Sequence, residues 1–159
     1  MTVDVRLAML SDLDAVCRLA HDVSVLHASM RPDVFASPID PAQRMARWRQ
    51  DLEQTDRASF VALRDGIAVG FISGKVADEP SDYFLPTRLC HVNSIGVTES
   101  ERGHGIGRAL MAALEAWGRG RGANEVHLTV WRFNERARAL YAELGYEERT
   151  LLMCKRISP

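Results

Sequence analysis

The sequence predicts one α/β (α+β) domain in which helices pack on a mixed sheet, and three observations support that prediction. Runs of β-forming residues alternate with segments of helical period in the order β α α β β β α β α β. The 159 residues are enough for a single core that buries roughly 70% of the surface of the unfolded chain. Apolar residues make up 47% of the chain and charged residues 26%, as in folded, water-soluble domains.

The first half of the chain carries signals for a strand, two helices and a hairpin. Ser11 stands three residues before Asp14, which is a variant of the capping box, and Asp40 followed by Pro41 is a favoured helix start. The dipeptide Asp65-Gly66 is the strongest hairpin signal in the chain. The predicted elements are a strand over 3–7, a helix from 11, a loop over 27–38, a helix from 41, and strands over 59–63 and 67–76.

The second half is predicted to alternate strands and helices. Pro80 and Pro86 break regular structure ahead of a strand, and Gly118 ends a segment whose apolar residues repeat with helical period. The predicted elements are a polar loop over 77–88, a strand over 89–97, a helix over 106–117, a strand over 125–131, a helix over 134–144, and a last strand over 150–155.

Charge and hydropathy exclude several classes of function. The chain has 20 Lys and Arg against 21 Asp and Glu, so it lacks the basic excess that nucleic-acid binding needs. No apolar run reaches the roughly 20 residues that span a bilayer, and the first ten residues carry charges where a signal peptide is apolar. No membrane partner and a cytoplasmic location are therefore expected. Cys17, Cys90 and Cys154 have no disulfide or metal-ligand spacing and are expected to be buried reduced thiols.

A glycine-rich turn lies between a predicted strand and an amphipathic helix. Gly103, Gly105 and Gly107 would let an anion approach the backbone N–H groups at the start of the helix, and Arg102 could add a charged hydrogen bond. The two common phosphate loops, GxxxxGK[ST] and GxGxxG, do not fit this segment. A phosphate site is predicted, and a tight strand-to-helix connection with no ligand is the alternative.

Two motifs resemble those of the GNAT superfamily of N-acetyltransferases. The first is Arg102-x-x-Gly105-x-Gly107, which follows a strand that ends at Val97. The second is Asn134-x-x-Ala137-x-x-Leu140-Tyr141-x-x-Leu144-Gly145-Tyr146, with Tyr where the family usually has a final Phe. The resemblance covers nearly the whole chain. It implies one N-acetyltransferase domain over 1–159, with a mixed, mostly antiparallel central sheet of six to seven strands and about four helices.

The resemblance also implies the cofactor, which is acetyl-CoA as the acyl donor, with no metal. The backbone of 95–97 would pair with the pantetheine arm, and the turn over 102–108 would hold the pyrophosphate. The cofactor-binding residues implied are Ile95, Gly96, Val97, Arg102, Gly103, His104, Gly105, Ile106, Gly107, Arg108, Asn134 and Tyr141.

Tyr141 is the residue that the resemblance implies as general acid, which would protonate the departing coenzyme A thiolate. Asn134, Ala137 and Tyr141 share one face of the predicted short helix. A phenol can donate to a thiolate, so the residue type fits that role. Asn134 either contacts the cofactor or only caps the helix.

His91 is the best candidate for the general base that must take a proton from the attacking amine. An unperturbed imidazole changes charge near pH 6.5, which suits a base acting directly or through water. Strand alternation predicts that His91, Asn93, Ile95 and Val97 share one face. A buried structural role for His91 is the alternative. His21, His27 and Glu79 are held in reserve as bases, and His104 and His127 are expected to be structural.

The acceptor is expected to be a primary amine of a small molecule or of a peptide or protein, entering between the loops over 27–38 and 77–88. Asp78, Glu79 and Asp82 could attract a cationic amine, and Tyr83 and Phe84 could stack on it. A solvated acidic loop is the alternative. Direct acetyl transfer in a ternary complex is the predicted reaction. The alternatives are a non-catalytic coenzyme A binding module and a nucleotide-phosphate site, and the resemblance suggests a homodimer.

Overall fold

The computed structural model describes residues 3–36, 40–80, 82–83 and 85–157. They fall into two units, Met1–Thr129 and Val130–Pro159, which are described in turn.

The first unit is organised by one open sheet. Its strands are β1 (Asp4–Leu7), β2 (Arg57–Arg64), β3 (Ile67–Glu79), β4 (Thr87–Val97) and β5 (Glu125–His127). They lie side by side in chain order, antiparallel except for the parallel pair β4 and β5. The predicted mixed, mostly antiparallel sheet is therefore confirmed, with five strands among the described residues where six to seven were expected.

Three helices belong to the first unit and one to the second. They are α1 (Leu13–Met30), α2 (Pro41–Leu52), α3 (Ile106–Gly120) and, in the second unit, α4 (Glu135–Glu143). Short 3₁₀ turns at Leu10–Asp12 and Glu99–Glu101 precede α1 and α3. The predicted number of about four helices is confirmed for the described part of the chain.

The two predicted helix starts in the first half have different outcomes. The Asp40 carboxylate accepts hydrogen bonds from the N–H groups of Ala42 (2.9 Å) and Gln43 (3.2 Å), so α2 begins as predicted. The prediction of Ser11 as a cap was wrong. The carboxylate ahead of α1 is that of Asp12, which accepts from the Met9 N–H (2.7 Å) and pairs with Arg6. The Arg6 hydrogen bond lowers the pKa of Asp12, and this tertiary partner was not visible in the local pattern.

The hairpin between β2 and β3 forms at the predicted dipeptide. Asp65 and Gly66 both have positive φ, 51° and 78°, as the tight mirror-image turn requires. Both flanking strands are longer than predicted because pairing continues beyond the residues with strong β propensity. β3 extends to Glu79, inside the segment predicted as a polar loop.

The helices α1 and α3 contact the sheet of the first unit on opposite faces. A Cβ added at Gly70 would come within 3.2 Å of Ile106 and Leu110, so that position faces α3. A Cβ at Gly96 would come within 2.7 Å of Val23, so that position faces α1. These glycines permit a close approach of helix to sheet that any side chain would prevent.

A bulge in β4 reverses the alternation of its side chains. Ser73 lies opposite Ser94, but Gly74 lies opposite Val92, so Asn93 is the extra residue. The prediction that His91 shares a face with Asn93, Ile95 and Val97 was therefore wrong. His91 is next to Cys90, which faces α3, and so lies on the α1 side of the sheet with Gly96. Ile95 and Val97 lie on the α3 side, opposite Ile72 and Gly70.

The second unit contains α4 and a C-terminal segment without regular secondary structure. The predicted last strand over 150–155 was wrong, since residues 147–157 pair with no strand among the described residues. Leu151, Leu152 and Met153 are exposed there. The alternating pattern indicates only a preference for extended backbone, whereas a strand in a sheet also requires the free edge of a neighbouring strand. No helix in the described residues is long and apolar enough to cross a membrane.

Candidate active site

β4 and β5 diverge in the middle of β4. They pair at three positions, ending with His91 opposite His127, and β4 then continues to Val97 alongside β3. Residues 92–97 of β4 therefore have one edge that is not paired with β5. An open strand edge can hydrogen-bond an extended ligand that carries amide groups. The predicted pantetheine-binding residues Ile95, Gly96 and Val97 lie on this edge.

The glycine-rich turn joins β4 to α3. Gly103 and Gly105 have positive φ, 82° and 78°, and Gly105 is the N-cap of α3. The first hydrogen bond of the helix runs from the Ala109 N–H to the Gly105 carbonyl (3.0 Å). The N–H groups of Ile106 and Gly107 therefore precede the helical ladder and point toward the positive end of the helix dipole, where an anion can bind.

Side chains hold this turn in place. Arg102 donates from Nε to the Val97 carbonyl (3.0 Å), which closes the loop between strand and helix. Glu101 pairs with Arg64 at the end of β2. His104 contacts the Glu101 carbonyl through Nδ1 (3.2 Å). Arg102 thus has a positioning role in addition to the pyrophosphate contact that the resemblance implies, and the pyrophosphate contacts of residues 102–108 stay predictions.

Gly105→Ala tests the turn. Nothing lies within 4 Å of the added Cβ, but the left-handed backbone costs a residue with a side chain about 1–2 kcal/mol. We expect affinity for acetyl-CoA, measured by calorimetry, to fall about tenfold as the N–H groups shift. Gly120→Ala at the other end of α3 is the matched control, because it also has free space and no positive φ. Equal affinity of the two variants for acetyl-CoA would contradict the role of the turn. A thermal shift of the wild type with ATP as large as that with acetyl-CoA would favour a nucleotide site.

His91 lies at the point where β4 and β5 part. Its Nε2 donates to Oε1 of Glu79 (2.9 Å), and its ring lies edge-on to that of His127, with 6.0 Å between the centroids. Nε2 of His127 in turn donates to Oε2 of Glu125 (2.8 Å). The structure thus places the predicted base, one reserve candidate and a histidine expected to be structural in one cluster. The local sequence does not reveal this contact because it depends on parallel pairing of distant strands.

The other histidines of the first unit lie elsewhere. His27 is in the last turn of α1, which continues into the predicted loop; its Nδ1 contacts the Val23 carbonyl (2.7 Å) and its ring packs on Phe35. His21 is exposed on the same helix. His91, which contacts the carboxylate of Glu79 beside the open edge of β4, remains the predicted base.

In the second unit, Tyr141 and Asn134 lie on and before α4. Tyr141 is buried, with 8% of its surface exposed, and its ring packs at 5.8 Å from that of Tyr146. Burial raises the pKa of Tyr141 above its usual 10, so the phenol stays protonated at neutral pH. The Asn134 side chain accepts from the Ala137 N–H (3.2 Å), so it is the N-cap. Its contact with the cofactor stays a prediction.

The cysteines are free but not uniformly buried. Cys90 is buried on β4 and desolvation raises its pKa to about 11, while the pKa of the partly exposed Cys17 is also raised by burial. Cys154 is exposed, which contradicts the expectation of three buried thiols. Among the described residues, no group of three or more His, Cys, Asp or Glu is placed to hold a metal ion.

Two of the three acidic residues predicted to attract the acceptor, Asp78 and Glu79, have protein partners. Both carboxylate oxygens of Asp78 accept from Arg88 (3.0 Å), and Glu79 holds His91. Tyr83 is almost fully exposed, and Phe84 and Pro38 of the two acceptor loops lie outside the described residues. The acidic charge of this loop is therefore partly compensated within the protein.

Residues 23–146 match the model of the acetyltransferase (GNAT) family. The chain belongs to the GNAT family of acetyltransferases. The matched residues include β4, the glycine-rich turn, α3 and α4, and both motifs lie within them. This GNAT protein is an N-acetyltransferase that uses acetyl-CoA as its donor.

The named relatives of this GNAT enzyme differ in acceptor. Over 100 residues it is 28% identical to an aminoglycoside N(6')-acetyltransferase type 1 of Salmonella typhimurium, covering 62% of this chain and 69% of that protein. Over 103 residues it is 39% identical to an N-alpha-acetyltransferase of Sulfurisphaera tokodaii, covering 62% of each. Because these relatives are enzymes, the alternative of a non-catalytic binding module loses support.

Solved structures share the fold of this GNAT enzyme. A mutant BH1408 protein from Bacillus halodurans superposes with a TM-score of 0.89 at 23% identity, covering 98% of this chain and 99% of that one. The aminoglycoside N-acetyltransferase AAC(6')-Iy in complex with CoA has a TM-score of 0.78 at 22% identity, covering 98% and 95%. At these identities the likeness establishes the fold and no acceptor.

Proposed function

We propose that the enzyme transfers the acetyl group directly from acetyl-CoA to a primary amine of a small molecule, or of a peptide or protein, in a ternary complex. The observation that carries this proposal is the divergence of β4 and β5 beside His91. It leaves an open strand edge for the donor next to a side chain that can accept a proton. The amine nitrogen would attack the thioester carbonyl, lose a proton to His91, and displace the thiolate.

Direct transfer is favoured over an acetyl-enzyme intermediate by the state of Cys90. This thiol is adjacent to His91 in sequence, but it faces α3, and its pKa of about 11 keeps it protonated at neutral pH. It is therefore a poor nucleophile. The thioester oxygen gains charge in the transition state, and we assign a backbone N–H near Ile95 as its donor.

Tyr141 is proposed as the general acid. Its support comes from the motif over 134–146 and from its burial, which raises its pKa and so favours the protonated phenol that can donate. The proton would pass from the Tyr141 hydroxyl to the sulfur as the carbon–sulfur bond breaks. His91 and Tyr141 are thus given opposite roles, base and acid.

Three further expectations belong to this proposal. Residues 1–159 are assigned to a single N-acetyltransferase domain, which is supported by a family match that crosses the division at Thr129 and Val130. The cytoplasm is the proposed compartment, because the free cysteines of the enzyme fit a reducing environment. A homodimer is the proposed assembly, and sedimentation velocity tests it.

An amine panel with acetyl-CoA tests activity and acceptor class together. The panel contains neamine, a peptide with a free α-amine, and an N-blocked peptide with a free lysine, and free thiol release is followed. We expect release above the amine-free rate with at least one member. Mass spectrometry of the enzyme after incubation with acetyl-CoA alone should detect no added acetyl group. Tight acetyl-CoA binding without release would favour the binding module, and a kinetically competent acetyl-enzyme would contradict direct transfer.

A further inference from the structure

Two histidine–carboxylate pairs lie side by side at the divergence of β4 and β5. The first is His91 with Glu79 (2.9 Å), and the second is His127 with Glu125 (2.8 Å). The two imidazole rings meet edge-on at 6.0 Å. Each ring is partly exposed and each pair joins residues of the sheet, so the four side chains form one polar cluster on the first unit.

Strand register puts the charged neighbours of His91 on β3 and β5 on one face of the sheet. Lys75 of β3 is directly opposite His91, and Glu79 is four residues further along the same strand. On β5, His127 is opposite His91 and Glu125 is two residues before it. On β3 and β5, the titratable groups on the face of His91 are therefore one lysine, two carboxylates and one imidazole.

The hydrogen bond to Glu79 determines which nitrogen of His91 can act as a base. A carboxylate only accepts, so Nε2 of His91 carries the proton of the neutral ring and Nδ1 carries the lone pair. Without Glu79, the neutral ring could exchange its two tautomers and turn about its side-chain bond. The carboxylate also stabilises the imidazolium that forms when the ring takes a proton.

The second pair acts on the charge of the first. Two imidazolium ions at this separation repel each other, so a positive charge on one ring disfavours a positive charge on the other. Lys75 adds a further positive charge on the same face.

We propose that Glu79 and His127 are positioning residues for His91. Glu79 presents Nδ1 of His91 as the atom that accepts the proton of the amine, and His127 lies edge-on to the ring, where a positive charge on it would oppose one on His91. This inference rests on the proposed role of His91 as base. It adds two residues to the reaction machinery, neither of which needs to touch the substrates.

The test compares pH–rate profiles of Glu79→Gln and His127→Gln with that of the wild type. Loss of the carboxylate charge should move the acidic limb of log kcat/KM to lower pH by about half a unit, the size expected of a partly exposed ion pair. Loss of His127 should move the same limb to higher pH by a similar amount. Glu148→Gln, the same substitution at an exposed carboxylate in the second unit, is the control and should move nothing.

Nitrogen NMR of the histidine rings supplies a readout besides activity. Neutral His91 should have its proton on Nε2 in the wild type and should become a mixture of tautomers in Glu79→Ala. Circular dichroism verifies that each variant folds. If Glu79→Ala does not fold, the tautomer of His91 is measured in Glu79→Gln instead.

The possible failures are distinguishable. An acidic limb that is absent in His91→Gln but unmoved by Glu79→Gln and His127→Gln would leave His91 as the base and overturn this inference. This inference would also be overturned if the acidic limbs of Glu79→Gln and His127→Gln moved in the same direction, or if the tautomer of His91 were unchanged in Glu79→Ala. A limb that persists in His91→Gln would overturn the base assignment itself.

Discussion

Tyr141→Phe should lower turnover at least about tenfold, since a positioned general acid typically contributes this factor or more to the rate. The affinity for coenzyme A should stay within about threefold of the wild-type value. The substitution keeps the buried ring and removes only the hydroxyl, so packing against Tyr146 is retained. The thiolate would then leave without a proton donor. Steady-state kcat by thiol release and coenzyme A binding by calorimetry measure the two quantities.

Tyr146→Phe is the matched control for Tyr141→Phe. It removes a hydroxyl from the neighbouring ring of the same unit and should leave turnover within about threefold, because the motif assigns it no role in proton transfer. Unchanged turnover in Tyr141→Phe would contradict the general-acid role. Equal losses of turnover and coenzyme A affinity would instead assign Tyr141 to cofactor binding.

His91→Gln should lower kcat/KM by about a hundredfold at neutral pH and abolish the acidic limb of the pH–rate profile, as expected when a general base is removed. The reason is that the amide of glutamine cannot accept the amine proton in this pH range. The limb arises because the base must be unprotonated to act, so the rate falls as pH drops and the wild-type imidazole takes up a proton.

His21→Gln provides the comparison for His91→Gln. His21 is exposed on α1 and was a reserve candidate for the base, so its substitution separates the two assignments. We expect His21→Gln to keep the wild-type rate and limb. If the limb were identical in His91→Gln and missing in His21→Gln, the proton acceptor would be on α1.

Local signals in the chain predicted most of the elements that build the site. Asp40-Pro41 began α2 and Asp65-Gly66 turned the hairpin, because caps and tight turns depend on residues a few positions apart. The glycine-rich turn and α3 are likewise found where the pattern placed them. The family match agreed with the two motifs, which are also local.

Features that depend on partners distant in the chain were not predictable from the same patterns. The bulge at Asn93 reversed the faces of β4, and a one-residue slip of this kind leaves no mark in the amino-acid pattern. The expected strand over 150–155 did not form, because β propensity supplies no edge to pair with. The start of α1 is a different case: Arg6 is only six residues from Asp12, but it lies on the preceding strand, which the helix-start pattern does not include.

By itself, the sequence predicted the family, the acetyl donor and the position of the glycine-rich turn. The family and the donor follow from the resemblance that the two motifs carry, whereas the turn follows from glycine and helix-start chemistry, which act locally. Only the tertiary structure decided which side of the sheet His91 faces and that His127 and Glu79 are its neighbours. Register between strands is chosen by packing over the whole sheet, so the surroundings of the proposed base exist only once the strands are assembled.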